Sequence, residues 1–298
     1  MNINNREIEF SIIGCGRLGV SLAVFLAREG FVPKAFVSRR VASAENAVSM
    51  VGAGRVCTGV SEAVREAPLV FITTPDGVIE SVCDQVASAG EFSTDHVVYH
   101  LSGALSSSIL SSARKDGAHT GSIHPLQSFA PYEEGALSPF KGINISIEGS
   151  ELAVDLGKEI VNALGANFFI IPTEAKTLYH ASAVVASNYL VTLEHFALSL
   201  LAQAGLDPER GYDILEPLIL GTLKNIKAGG TIKALTGPVA RGDETIIQRH
   251  LADIDGKMPE FTEIYKLLGR HTVDIARQRG EMDKATIQRI AALFDIQN

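Results

Sequence analysis

Gly14-Cys15-Gly16-Arg17-Leu18-Gly19 is the stretch of this sequence whose spacing points most directly to chemistry. A Gly-x-Gly-x-x-Gly string that closes a strand and opens a helix lets each glycine do a different task. Gly14 permits the tight turn, Gly16 lets the backbone approach a pyrophosphate, and Gly19 lets the helix pack on the sheet. The helix then offers unpaired amides and the positive end of its dipole to phosphate, with Cys15, Arg17 and Leu18 contributing backbone. The bland alternative is a glycine-rich turn without a ligand. Further on, Ser38-Arg39-Arg40 follows a second apolar run and holds no acid before Glu45. A hydroxyl and two guanidiniums suit a ribose 2′-phosphate, so the expected cofactor is NADP(H), unless both arginines are solvated surface charges. An NAD, flavin or methyltransferase site usually places an Asp or Glu there.

A second group of residues suits proton donation and charge stabilisation. Lys176 and His180 are four apart, so on a helix they share a face, about 40° and about 6 Å apart along the axis. Asn188 falls about 80° round and about 12 Å along from His180 and would hold another part of a substrate, while Ser187 lies about 17 Å from Lys176. His124 ends a predicted strand before Pro125, which favours an extended backbone; it is read as a substrate contact or acid, or else as a satisfied structural histidine. Gln127 and Ser128 are accessory polar contacts. Thr74 and Pro75 follow the next strand at the carboxyl edge of the sheet and are read as cofactor contacts, and Asp76 is read as a helix cap. Ser102 bonds either substrate or a turn amide. Arg241, in Thr236–Asp243, either closes over an anion or sits in a surface ion pair. The other histidines, His100 among them, are read as structural or solvent-facing, and Tyr179 and Tyr189 as packing. No His or carboxylate pair has metal-ligand spacing, so no metal is expected.

The elements that must carry these residues follow from periodicity. Up to Pro172 short β-branched runs alternate with amphipathic ones: strands at 7–13, 34–38, 69–73, 97–101, 121–124, 142–147 and 167–171, helices at 17–29, 41–50 and 151–164. Such alternation predicts a mostly parallel sheet covered on both faces. After Pro172 only helices are predicted, with Pro208, Asp243, Pro259 and Asp283 marking starts. The expected architecture is therefore an α/β Rossmann-like domain over 1–172 and an all-α substrate and dimerisation domain over 173–298. Residues 177–193 lack formal charge, near the length of a membrane span, but Tyr179, His180, Ser182, Ser187, Asn188, Tyr189 and Thr192 are too polar for lipid. A helix so apolar on all sides needs cover from more than one direction, which suggests a homodimer through the helical domain.

Composition narrows the class. The chain has 298 residues, 46% hydrophobic and 20% charged, with a formal charge of −8. Both halves are acidic, which argues against nucleic acid. Three cysteines without a Cys-x-x-Cys pair exclude a disulfide framework and fit a reducing cytoplasm, and Met1–Phe10 contains no signal-peptide core.

Taken together, Gly-x-Gly-x-x-Gly, Ser-Arg, Thr-Pro-Asp, Ser-Gly and His124-Pro125-Leu126-Gln127-Ser128-Phe129 resemble a bacterial family of NADP-dependent oxidoreductases. The helical half adds Lys176-Thr177-Leu178-Tyr179-His180-Ala181, Ser187-Asn188-Tyr189 and Thr236-Gly237-Pro238-Val239-Ala240-Arg241-Gly242-Asp243. That family pairs a Rossmann-like domain with a C-terminal helical domain of unknown function, and is similar in plan to ketopantoate reductase, pyrroline-5-carboxylate reductase and 6-phosphogluconate dehydrogenase. The resemblance implies that Lys176, on the first helix of the helical domain, is a proton donor, although Tyr179 and His180 depart from the dehydrogenase Lys-x-x-Asn spacing. The expectation is hydride transfer to or from a small carbonyl, hydroxy or imine compound in a cleft between the domains. The alternative is an NADP(H)-binding sensor without turnover.

Overall fold

Apolar residues on alternate positions of short strands fix which face each strand buries, and the computed structural model, which describes residues 8–294, follows that pattern. Glu7, read as the start of the first strand, and the segment before it lie outside the described residues. The first half runs β1 (Glu9–Ile13), α1 (Arg17–Arg28), β2 (Val32–Val37), α2 (Val41–Val51), β3 (Arg55–Val56), α3 (Val60–Arg65), β4 (Leu69–Ile72), α4 (Asp76–Ser88) and β5 (Val97–His100). It continues with α5 (Ser111–Lys115), β6 (His119–Pro125), β7 (Asn144–Gly149), α6 (Glu151–Ala163) and β8 (Asn167–Ile170). The strands form one sheet in the order β3-β2-β1-β4-β5-β6-β7-β8. The chain order reverses between β1 and β4, which is where open α/β sheets bind ligands, outside the carboxyl ends of the strands.

Two cores cover the sheet. Phe10, Ile12, Phe71, Tyr99, Ile123, Ile145 and Ile147 pack on one face, and Ile13, Ala35, Val37, Val70, Ile72 and Val98 on the other. Phe71 stacks on Tyr99 at 5.7 Å and meets Phe10 edge-on at 6.2 Å. Each such buried aromatic contributes roughly 2–3 kcal/mol from area alone. Two features depart from the sequence expectation. The two-residue β3 is too short to give a periodic signal. β7 runs antiparallel to β6, with His124 opposite Ser146 and Ser122 opposite Glu148. Periodicity reports the face of a strand and carries no information on its direction.

A helix of 28 residues follows, α7 (Lys176–Gln203). The chain divides into compact units at Ser187/Asn188, inside α7, so the first turns of this helix belong to the first unit. The sequence boundary at Pro172 marks the end of the strands. The second unit continues with α8 (Gly211–Ala234), α9 (Pro238–Arg241), α10 (Glu244–Lys257), α11 (Thr262–Arg279) and α12 (Lys284–Leu293), and among the described residues it contains no strand. Asp243 and Asp283 cap α10 and α12 by accepting from the amides of Ile246 and Thr286 at 3.2 and 2.9 Å. Val239, Ile247, Val273, Ala276, Ile287, Ile290 and Phe294 make its core. The stretch Thr173–Gln203 is long and apolar enough to cross a membrane, with a mean hydropathy of 1.3, and only 6% of its most apolar 18 residues are buried within the chain.

Candidate active site

The glycine loop joins β1 to α1 at the switch point. Gly14 sits at φ +106° and donates its amide to the Val37 carbonyl at 2.8 Å. A Cβ there would lie 2.8 Å from the backbone of Thr73 and Thr74, so the turn is closed to any other residue. A Cβ on Gly19 would collide with the Gly14 carbonyl and the Thr73 hydroxyl, which bonds that carbonyl. A Cβ on Gly16, by contrast, would meet nothing within 4 Å. Gly16 is the N-cap of α1, no side chain caps the helix, and its first turn contains no acid. The first amides of α1 are thus presented bare beside open space, which fits a pyrophosphate. The Thr74 hydroxyl is buried without a partner at the end of β4, before Pro75, the N-cap of α4. Cys15 is buried with its thiol on the Val37 carbonyl, and burial pushes its pKa up to about 12. The Cys15 side chain is thus turned inward, while Arg17 is exposed and Leu18 half-buried. At the end of β2, Ser38 is half-buried, and Arg39 and Arg40 are exposed.

A polar row crosses the sheet next to this loop. Ile72 of β4 pairs with His100 of β5, His100 with Ser122 of β6, and Ser122 with Glu148 of β7. His124, two residues beyond Ser122, lies on the same face of β6. Onto this row the first turn of α7 places Lys176, which is 2% exposed and donates from Nζ to the Ser122 hydroxyl at 2.6 Å. Burial lowers the Lys176 pKa to about 8, against the opposing pull of Glu148 and Asp76. Glu148 is itself buried and saturated: it accepts from the Ser107 amide and hydroxyl, both at 2.7 Å, and from the Thr173 hydroxyl at 3.0 Å.

Around Lys176 stand three imidazoles. His100 is fully buried and accepts from the Ser102 amide at 3.2 Å. Burial and then the Lys176 charge lower its pKa to about 4. His124 falls to about 4 for the same reasons, with smaller effects from His180 and His100. Its Nδ1 is 2.9 Å from the Tyr179 hydroxyl. The rings of His124 and His180 are 6.0 Å apart, and the buried Nδ1 of His180 has no hydrogen-bond partner. Gly103 lies between them: a Cβ on it would be 2.6 Å from both His124 Nε2 and His180 Nδ1. The arrangement offers one ammonium that can release a proton near neutrality, beside His100 and His124, which burial holds neutral.

The structure thus brings Lys176, His124 and His180 together, as the sequence suggests. Of the two readings for Ser102 the turn contact holds: its hydroxyl donates to Asp76 at 2.9 Å and accepts from the amides of Ala104 and Leu105, so it braces the turn after β5. Gln127 is exposed, and its carbonyl oxygen accepts from the Ser128 amide. Asn188 and Arg241 belong to the second unit and are exposed. Sequence reasoning missed His100, Ser122, Glu148 and Tyr179. The first had a usable signal, because it lies one residue before the end of a predicted strand at the ligand edge. Glu148 had none, since its position depends on the direction of β7.

Comparison with known proteins agrees with this fold. Residues 1–125 match the model of a Rossmann-like domain, and residues 143–272 match that of a domain of unknown function, DUF2520. No curated protein matches the chain. Among solved structures, protein TM1727 from Thermotoga maritima is 28% identical, with a TM-score of 0.71 over 92% of this chain and 100% of that one. An imine reductase from Myxococcus stipitatus, solved with NADP+, is 16% identical, with a TM-score of 0.64 over 95% and 99%. A pyrroline-5-carboxylate reductase from Coxiella burnetii is 15% identical, with a TM-score of 0.57 over 97% and 99%. The chain carries a Rossmann-like domain over residues 1–125 followed by a DUF2520 domain over residues 143–272.

Proposed function

We propose that this protein is an NADP(H)-dependent oxidoreductase that transfers a hydride to or from a small carbonyl, hydroxy or imine compound. The carrying observation is one sheet edge that holds both the bare α1 amides at Gly16 and the buried ammonium of Lys176. When bound, the reduced nicotinamide supplies the hydride. Gly16 and the α1 amides hold the pyrophosphate, and Ser38, Arg39 and Arg40 hold the ribose 2′-phosphate. Lys176 holds the proton that the substrate's oxygen or nitrogen takes up, and Ser122 fixes its Nζ. His124 adds a neutral hydrogen-bonding group beside it, and His180 a second imidazole. The named solved relatives with reductase activities support this class, and the NADP+ bound to one of them supports the cofactor.

Titration of NADPH and NADH, followed by the fluorescence of the reduced cofactor, tests the reading; the chain has no tryptophan to interfere. NADPH should bind at least about tenfold more tightly, a difference of about 1.4 kcal/mol. Absence of binding by either would remove the reading, and NADPH binding without substrate-dependent oxidation across a carbonyl and imine screen would favour a sensor. The same reading includes a homodimer through the helical unit, supported by exposed Leu218, Leu220, Leu223 and Ile226 on α8. Light scattering on the purified chain should give twice its 31.8 kDa mass.

A further inference from the structure

The reading above leaves the roles of Tyr179 and of the Gly103 contact unassigned. His124 Nδ1 lies 2.9 Å from the Tyr179 hydroxyl, with the two rings 84° apart and 5.6 Å between centroids. Phe169 of β8 packs edge-on against the other side of Tyr179 at 5.8 Å, which holds the phenol in place. The Ser146 hydroxyl, on the strand residue paired with His124, also approaches the phenol and favours its ionised form, so it stands as a donor to the phenol oxygen and leaves the phenol proton for His124. Burial raises the Tyr179 pKa, so the hydroxyl keeps its proton and is the donor. A neutral imidazole carries one N–H. If Nδ1 accepts, that proton is on Nε2. The Nε2 edge of His124 points at Gly103, where a Cβ would come within 2.6 Å of it, and the partnerless Nδ1 of His180 borders the same spot.

We propose that Tyr179 is a positioning residue that fixes His124 in its Nε2–H tautomer, so that the site presents a neutral N–H donor beside Lys176. The opposite tautomer would take the imidazole acceptor from the phenol proton, leaving it only Ser146, and turn a bare acceptor towards His180. Gly103 completes the arrangement, because only a residue without a side chain leaves room for both imidazole edges. In the oxidoreductase reading, on which this role rests, the Nε2–H polarises the substrate's oxygen or nitrogen while Lys176 supplies the proton. A neutral donor can do this without competing with Lys176 for the role of acid.

The test is long-range proton–nitrogen NMR on the full-length chain labelled at its eight histidines. His124 is assigned as the signal lost in His124→Gln. In the wild type at pH 7, His124 should show a protonated Nε2 and a bare Nδ1. In Tyr179→Phe the bias should fall by at least about fivefold towards a mixture, the amount one neutral hydrogen bond sustains. A protonated Nδ1 in the wild type overturns the proposal without any variant. So does an unchanged tautomer in a folded Tyr179→Phe. In Gly103→Ala the His124 and His180 signals should both move, and unchanged signals would refute the close approach. No turnover or cofactor enters these readouts, so they separate a failure of the tautomer from a failure of the oxidoreductase reading.

Discussion

Replacing Lys176 with methionine should stabilise the fold at neutral pH while it removes the proposed acid. Methionine has a similar length and nearly fills the same space, and it carries no charge to bury. The ammonium is 2% exposed, and its pKa falls from 10.5 to about 8. At about 1.4 kcal/mol per pH unit, keeping it charged inside costs about 3 kcal/mol relative to the unfolded chain. Loss of the bond to Ser122 gives back about 1 kcal/mol. A net gain of about 2 kcal/mol remains, or about 4–8 °C in melting temperature for a unit of this size. The sign is pH-dependent. Between about 8 and 10.5 the unfolded lysine binds a proton that the folded one does not, so wild-type stability rises with pH through that window. The advantage of Lys176→Met should therefore be full below pH 8, vanish near about pH 9.5 and reverse to about 1 kcal/mol in favour of the wild type by about 10.5. Thermal melts followed by far-ultraviolet circular dichroism at pH 7 and pH 10 measure both. A variant about 2 kcal/mol less stable at pH 7 would refute the reasoning. It would mean that Glu148 and Asp76 overcompensate burial and that Lys176 is an ordinary buried ion pair.

Three further outcomes follow from the same geometry. Gly16→Ala should fold as the wild type and weaken NADPH binding about tenfold or more by calorimetry, whereas Gly19→Ala should lower the melting temperature because its Cβ meets the Gly14 carbonyl. Arg39→Ala combined with Arg40→Ala should cost NADPH at least about tenfold in affinity and leave NADH unchanged in the same titration; equal losses for both would place the arginines away from the 2′-phosphate. Once a substrate is found, its rate of reduction should fall as pH rises through about 8, because the acid is then deprotonated, and a rate still rising at pH 10 would exclude Lys176 from that role.

The class of the fold and the placing of the phosphate loop were legible because they depend on local signals. Glycines at 14, 16 and 19 must follow a strand and open a helix, and Lys176 and His180 share a face by helical geometry alone. His124 was legible as a strand end. What the sequence could not show depends on which strands lie side by side. Ser122 and Glu148 become neighbours only because β7 runs antiparallel to β6, and periodicity is blind to direction. Ser102 was legible as far as its two alternatives, substrate or turn amide, and the structure decides for the second, with Asp76 as a further partner. Tyr179 was read as packing because a tyrosine on an apolar helix usually packs, and only the ring edge of His124 at 2.9 Å distinguishes it.

The bracing of Glu148 by Ser107 and Thr173 has a consequence for modularity. The Rossmann-like match ends at residue 125 and the DUF2520 match begins at residue 143. Ser107 and Ser122 are on one side of that junction, and Glu148, Thr173 and Lys176 on the other. Recombination that exchanged either half for a relative's would keep the glycine loop or the helices, yet the buried Glu148 and Lys176 would come without the Ser107 and Ser122 groups that hydrogen-bond them. The two halves are therefore bound to be transmitted together, and the unit of inheritance in this protein is larger than either of the domains by which it is recognised.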